Sequence, residues 1–250
     1  MNITVLTYDT VDSTNTEALK QARLGADEGL CIVARQQTAG RGRHGRTWVS
    51  EKDAGLYFSI VLRPKIETKY LPLITLMAGV AVYDTLQELG VKPDIKWVND
   101  VIVDEKKISG ILAETTETNN SLAVVVGIGI NIKSSNFPLE IAGIATSIGS
   151  EPGAIATGDL TEILTKYVSY FYDIFTTQNG PAKIVDEWRR RSTYFSGKAV
   201  LVKLGDKTIT GITEGLESNG ALRLRKADGD VAIVQAGDVE SLRLDQSFRR

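Results

Sequence analysis

Cysteine and histidine are almost absent from this chain, which holds one of each, Cys31 and His44. A single cysteine excludes an intramolecular disulfide and any Cys-cluster metal site, and a single histidine excludes the paired-histidine zinc motifs. Long apolar runs are missing as well. Stretches such as Leu122–Ile128 are too short to span a bilayer, so no membrane association is expected. A cationic surplus is lacking: 29 Lys+Arg face 31 Asp+Glu, a formal net charge of −2. Such a chain is not built to coat nucleic acid or an anionic membrane. The N-terminal MNITVLTYDT has no basic leader and no cleavage-type small residues, so the default compartment is the cytoplasm. What remains is an ordinary globular composition, 42% hydrophobic and 24% charged over 250 residues. That size suits one large domain, or a medium domain and a small one.

Patterning gives the organisation. Ile3, Val5 and Leu6 before Asp9 read as a strand. In the following VDSTNTEALKQARLG, Thr14 and Glu17 have capping-box spacing, Asp12 and Ser13 are alternative caps, and Gly25 is a helix stop. Leu30–Arg35 and Gly55–Arg63 are buried-type strands on either side of a long polar loop, Gln37–Asp53. Leu71–Leu89 is the longest helical pattern. Strands follow at Asp94–Trp97, Val101–Val103, Ile108–Thr115 and Leu122–Gly127, with DEKK (104–107) and ETNN (117–120) as turns. Helices are expected near 160–177 and 181–190. From Lys198 the texture changes to five short strands separated by GD, SNG and DGD turns, the pattern of a small all-β barrel. The fold class is therefore α+β, a mixed and largely antiparallel sheet with helices plus a small C-terminal β-barrel. The domains are expected at 1–195 and 196–250, with the last residues, 247–250, frayed.

Several stretches carry chemistry. Arg35, Arg41, Arg43 and Arg46 fall within twelve residues that contain no acid, on a glycine-rich loop, QQTAGRGRHGRTW. Glycines admit backbone N–H groups close to an anion, and arginine adds a planar donor fork. A solvated basic loop has the same composition. Gly40-x-Gly42-x-x-Gly45 matches the letters of a dinucleotide fingerprint, but no helix opens at the glycines. KWVND (96–100) places a cation, an amide and a carboxylate between strands, and Asn-Asp is also a common turn pair. KKISGILAE (106–114) brings two lysines into an apolar strand with a mid-strand glycine, a mark of close approach or of a kink. GIGIN (127–131) ends a strand on two glycines and an asparagine, compatible with a bulge. Cys31, inside LCIVA, reads as a buried thiol.

In this order and spacing, STN, GRGRHGRTW, KWVND, KISGILAE and GIGIN resemble the catalytic core of the biotin protein ligases, the biotin–[acetyl-CoA-carboxylase] ligases. The resemblance runs from about residue 5 to 195, and the tail resembles that family's SH3-like domain. It implies a class II synthetase-like biotin/lipoate ligase core and a two-step reaction: activation of biotin by ATP to biotinyl-5′-AMP, then transfer to a lysine of a biotin carboxyl carrier protein, a subunit of acetyl-CoA carboxylase. Carried over by motif position, Ser13, Thr14, Asn15, Gln37, Gly40, Arg41, Lys107 and Gly110 are expected at biotin. Arg43, Arg46, Trp48, Asn99 and Asn131 are expected at the nucleotide. Lys107, Arg43 and Asp100 are expected to be catalytic. Mg²⁺ is expected with ATP, its ligands unspecified. Two departures stand out. Val98 replaces the usual proline of KWPND, which leaves one backbone angle less fixed. The family's bifunctional members open with a DNA-binding winged helix, whereas this sequence starts at the first core strand, so specific DNA binding is not expected. The free sheet edges allow a homodimer. A lipoate ligase or octanoyl transferase shares the chemistry, but the GRGRHGRTW loop favours biotin. A nucleic-acid module and an adaptor fit the acidic remainder and the polar constellation less well.

Overall fold

The computed structural model describes residues 1–118, 121–133, 137–149 and 157–241. The chain opens with β1 (Thr4–Val11), α1 (Thr14–Arg23), β2 (Leu30–Gln37), β3 (Gly55–Leu62) and α2 (Leu73–Glu88). Strands β4 (Asp94–Lys96), β5 (Asp100–Val103), β6 (Lys106–Thr118) and β7 (Ser121–Asn131) follow, then α3 (Leu139–Ala142), α4 (Thr157–Phe175) and α5 (Gly180–Arg191). The tail comprises β8 (Ser196–Leu204), β9 (Lys207–Leu216), β10 (Leu222–Arg225), β11 (Val231–Val234) and β12 (Asp238–Ser241).

The first seven strands form one sheet in the order β1-β2-β3-β7-β6-β5-β4. Only β1 and β2 are parallel, joined through α1; the other pairs are antiparallel. Both faces are covered, and this explains why β3 is buried at every position and reads as an unbroken apolar run. On one face Ala18, Leu19 and Ala22 of α1 pack on Ile32, Val61, Ala123 and Val125. The opposite face packs under α2, α4 and α5. α2 is apolar around most of its circumference and is accordingly buried along most of its length, with Gln87 and Glu88 exposed at its end.

The tail strands form a second, antiparallel sheet in the order β11-β10-β9-β8-β12. Among the described residues β11 and β12 do not pair, so the expected barrel is an open five-stranded sheet. Its apolar face is continuous with the main core: Val200, Val202, Leu222, Leu224, Val234 and Val239 belong to the cluster that holds α2. Gly220, in a left-handed turn (φ +86°), sits against Leu73 and Leu76 of α2, and the Trp97 indole N–H donates to its carbonyl at 2.9 Å.

Four local expectations change. Ser13, not Thr14, is the extended residue before α1, and no side chain caps the helix. The Thr14–Glu17 box does not form because Thr14 is already helical and directs its hydroxyl to Gln37. The turn within DEKK is Asp104–Glu105 alone, both at positive φ (+49° and +61°), a two-residue hairpin that leaves both lysines in β6. β4 ends at Lys96, so Trp97 lies in the turn, buried toward the tail sheet. The ETNN turn falls in part on residues 119–120, and the frayed end lies wholly beyond residue 241, both outside the described residues. The short helix α3 was not anticipated.

Candidate active site

On the α1 face, strand alternation brings three glycines together. Gly110 pairs with Gly129, and Leu112 with Gly127, across β6 and β7. Missing side chains leave a depression floored by backbone. A Cβ on Gly127 would stand 2.0 Å from Asn15 Oδ1, one on Gly129 2.4 Å from the Trp48 ring, and one on Gly110 2.9 Å from Lys107 Cε. β7 pairs with both neighbours without a register shift, so GIGIN is an unbroken strand rather than a bulge. Its glycines serve close approach.

The start of α1 forms one wall. Gln37 Oε1 accepts from the Thr14 N–H at 2.8 Å and from its hydroxyl at 3.1 Å. Gln37 Nε2 donates to Ser50 Oγ at 2.7 Å, and the Ser50 hydroxyl donates to the Trp48 carbonyl at 3.0 Å. The Ser59 hydroxyl reaches Asn15 Oδ1 at 2.6 Å and Thr14 Oγ1 at 2.8 Å. Asn15 Nδ2 donates to Glu114 Oε2 at 2.8 Å and to the Leu112 carbonyl at 3.2 Å. Ser13, Thr14 and Asn15 are all buried, and buried polar groups of this kind are held by their partners.

The arginine loop folds over the depression as a small hairpin. Arg41 bridges Thr47, the Gly42 N–H donates to the Arg46 carbonyl at 2.6 Å, and the Trp48 N–H to the Gly40 carbonyl at 2.9 Å. A Cβ on Gly40 would stand 2.4 Å from the Trp48 carbonyl, so glycine is required there. The arginines then diverge. Arg41 pairs with Glu114 at 2.6 Å. Arg43 Nη1 donates to Asn99 Oδ1 at 3.1 Å and to the Gly237 carbonyl at 3.2 Å. Arg46 pairs with Asp238. Burial holds the Arg43 guanidinium below its ordinary pKa, with Arg46 pushing the same way and Asp238 and Asp100 opposing. The loop is thus tied to the tail sheet as well as to its own domain.

Lys107 Nζ lies 2.6 Å from Asp100 Oδ1 and 5.5 Å from the centre of the Trp48 ring. Lys96 Nζ is 3.9 Å from the other Asp100 oxygen. Asn99 Nδ2 donates to the Ile111 carbonyl at 3.1 Å. Asn131, at the end of β7, donates to the Thr146 carbonyl at 2.9 Å, and the segment before Thr146 runs parallel to Lys107 through a bridge to Ala145. The Trp97–Val98 peptide bond is cis.

The candidate biotin, nucleotide and catalytic residues therefore lie on the α1 face, on the arginine loop, or at the β4–β5 and β7 ends around them; Arg35 does not join them, since it stands in β2 and pairs with Asp53 and Asp9. Sequence reasoning left out Ser50, Ser59, Gly237 and Asp238, and quoted Glu114, Gly127 and Gly129 within motifs without giving them a role at the site. Ser59 carried a usable signal, the lone serine in a strand of aliphatic and aromatic residues. Gly237 and Asp238 carried none, since 192 residues separate Arg46 from Asp238. A cavity of about 460 Å³ lies on the opposite face between β1–β3 and the start of α4, lined by residues including Val33, Arg35 and Thr161, and Arg35 is the one arginine of the basic stretch that reaches it. A smaller one of about 170 Å³ lies behind Arg43, bounded by Pro72, Val98 and Gln235.

Comparison with known proteins agrees with this fold. Residues 7–131 match the Biotin/lipoate A/B protein ligase family, and residues 195–241 match the biotin protein ligase C-terminal domain. The chain is 34% identical over 239 residues to the bifunctional ligase/repressor BirA of Bacillus subtilis, covering 93% of this chain and 72% of that protein. It is 34% identical over 235 residues to the biotin–[acetyl-CoA-carboxylase] ligase of Paracoccus denitrificans, covering 90% and 95%. The biotin protein ligase of Aquifex aeolicus, solved in complex with biotin and ATP, superposes with a TM-score of 0.80 at 30% identity, covering 94% and 97%. The fold and site define a ligase. Within that class, the chain belongs to the biotin/lipoate A/B protein ligase family, among the biotin protein ligases.

Proposed function

We propose that this protein uses ATP to activate biotin as biotinyl-5′-AMP and transfers the biotinyl group to one lysine of a biotin carboxyl carrier protein of acetyl-CoA carboxylase. The observation that supports this best is the convergence of Lys107, Asp100, Arg41 and Arg43 around a depression whose floor is three glycines. A compact, mostly apolar bicycle that carries its carboxylate on an aliphatic chain needs a close-fitting floor, a few short hydrogen-bonding groups and cations at one end. In the first step a biotin carboxylate oxygen attacks the α-phosphorus. A new P–O bond forms, the α–β anhydride breaks, and pyrophosphate leaves. Charge builds on the α-phosphoryl oxygens, where Lys107 and Arg43 stabilise it. In the second step the carrier lysine amine attacks the acyl carbon and AMP leaves. Asp100 orients that amine or receives its proton. Ser13, Thr14, Asn15, Gln37, Gly40, Arg41 and Gly110 form the biotin side; Arg46, Trp48, Asn99 and Asn131 form the nucleotide side.

Magnesium enters with ATP. Among the described residues no group of three or more His, Cys, Asp or Glu forms a cage for an ion. We read residues 1–195 as the catalytic domain and 196–250 as a tail that contacts the arginine loop and supports the acceptor. Among the described residues no helix is long and apolar enough to cross a membrane, and a cytoplasmic location fits the substrates. Residues 1–250, with a net charge of −2, are not proposed to bind DNA specifically. A homodimer through the β1 or β4 edge is testable by sedimentation. The deciding experiment is mass spectrometry of a purified carrier domain after incubation with the protein, biotin and ATP. One biotinyl group on one lysine is expected. An unmodified carrier, or equal use of lipoate, rejects the reading.

A further inference from the structure

Glu114 stands on β6 beside the glycine floor, on the α1 face, paired with Val125. One of its oxygens, Oε2, accepts from two donors on different parts of the chain: Asn15 Nδ2 at 2.8 Å and Arg41 Nη2 at 2.6 Å. Both ends of that bridge belong to the site. Asn15 is 4% exposed. Its second amide N–H goes to the Leu112 carbonyl, and its oxygen receives the Ser59 hydroxyl. Both N–H groups of the amide are therefore used by protein partners, and the carboxylate fixes which way it faces, because only the NH₂ side can approach Glu114. Arg41 has one protein hydrogen bond from its side chain among the described residues, the one to Glu114. Its remaining N–H groups meet no other protein acceptor among the described residues.

We propose that Glu114 is a positioning residue for biotin capture. Its carboxylate ties the asparagine of the α1 wall to the arginine of the loop, so these two walls of the biotin site are fixed to each other before biotin arrives. The inference rests on the biotin and ATP reading above. Without Glu114, the buried Asn15 N–H loses its acceptor and Arg41 must be ordered by the ligand itself, an entropic cost added to each binding event. Arg43 and Arg46 are anchored separately, on Asn99, Gly237 and Asp238. The nucleotide side and the chemical step should therefore be spared. The signature is a raised KM for biotin with kcat and the KM for ATP largely unchanged, which general loss of structure would not produce.

The test is steady-state pyrophosphate release with biotin and ATP for the wild type, Glu114→Ala, Glu114→Gln, Arg41→Ala and the Arg41→Ala/Glu114→Ala pair. Loss of one charge-assisted contact is expected to raise the biotin KM of Glu114→Ala about tenfold or more, with kcat within about threefold. Glu114→Gln keeps an acceptor but no charge, so a smaller rise is expected, and this variant carries the test if the alanine variant fails to fold. The double variant should bind biotin less weakly than the sum of the single effects requires, since Glu114 acts partly through Arg41. An unchanged biotin KM, a loss confined to kcat, or full additivity overturns the inference. A wild type that releases no pyrophosphate rejects the ligase reading and this inference with it; an active wild type with unaffected variants rejects this inference alone.

Discussion

Lys107 reaches Asp100 because β6 holds one more residue than β5 where the two strands meet. Val101 pairs with Ser109, but Ile102 pairs with Lys107, so Ile108 is the extra residue. In an unshifted strand, alternation from Gly110 would point Ile108 to the α1 face and Lys107 to the core. The shift buries Ile108 fully and turns the lysine over Gly110 toward Asp100. A register irregularity next to a reactive group is a common way to re-aim a side chain.

Lys107→Ala is therefore expected to cut adenylate formation about a hundredfold or more, as the loss of one electrostatic stabiliser usually does. The fold should survive, because the lysine is only partly buried and Asp100 keeps Lys96 as a second neighbouring cation. Pyrophosphate release, with circular dichroism to check folding, reads the result. A folded variant of normal activity would show that Lys107 does not act at the phosphate.

Arg43→Gly should leak its intermediate. The variant loses the contacts to Asn99 and to Gly237 together, and glycine adds freedom to a loop already rich in it. Arg41, Arg46 and Lys107 remain, so adenylate still forms but leaves sooner. Serum albumin incubated with the variant, biotin and ATP should gain streptavidin-reactive label, whereas the wild type should label mainly its carrier. Equal labelling by both enzymes, with adenylate still made, contradicts a retaining role.

Gly127→Ala tests the floor. The added Cβ would fall 2.0 Å from Asn15 Oδ1, and Asn15 is held on three sides. A loss of about 1–3 kcal/mol in urea unfolding, with weaker biotin binding, is expected of such overpacking. Gly143→Ala is the control, with nothing within 4 Å of its added Cβ and an expected change within about 0.5 kcal/mol. Equal effects at the two positions would mean that the floor is not close-packed.

Cys31 should be silent toward thiol reagents. It is fully buried, and burial pushes its pKa up to about 12, so the reactive thiolate is suppressed at neutral and mildly alkaline pH. Titration with an aromatic disulfide at pH 8 should find no thiol in the native protein and one after unfolding. Prompt reaction of the native protein would show that β2 opens readily.

Much of this site was legible because its residues stand in short motifs, each of which folds as one local unit. The strand order was not, since periodicity says nothing about which strands are neighbours. The Lys107 register shift was invisible for a related reason: a bulge is a relation between two strands, while a sequence lists one at a time. The capping-box reading failed at Thr14 because a long-range partner, Gln37, competes for the same hydroxyl. Glu114 was quoted at the end of KISGILAE and left without a role, since its two partners come from elements far away in the chain. The barrel expectation rested on turn spacing, which reveals short antiparallel strands but not whether the outer two close.

Gly220 tucked against Leu73 and Leu76, with its carbonyl on the Trp97 indole, has a consequence for how the molecule comes apart. The tail sheet lends its apolar face to α2, so neither part has a hydrophobic interior of its own there. Heating should give one calorimetric endotherm with equal van't Hoff and measured enthalpies. Cutting the chain after Ser196 should leave a catalytic fragment that aggregates, and two separate endotherms would contradict this. Recombination between relatives that exchanged the tail alone would have to match the surface of α2, so the two parts of the chain are constrained to change together.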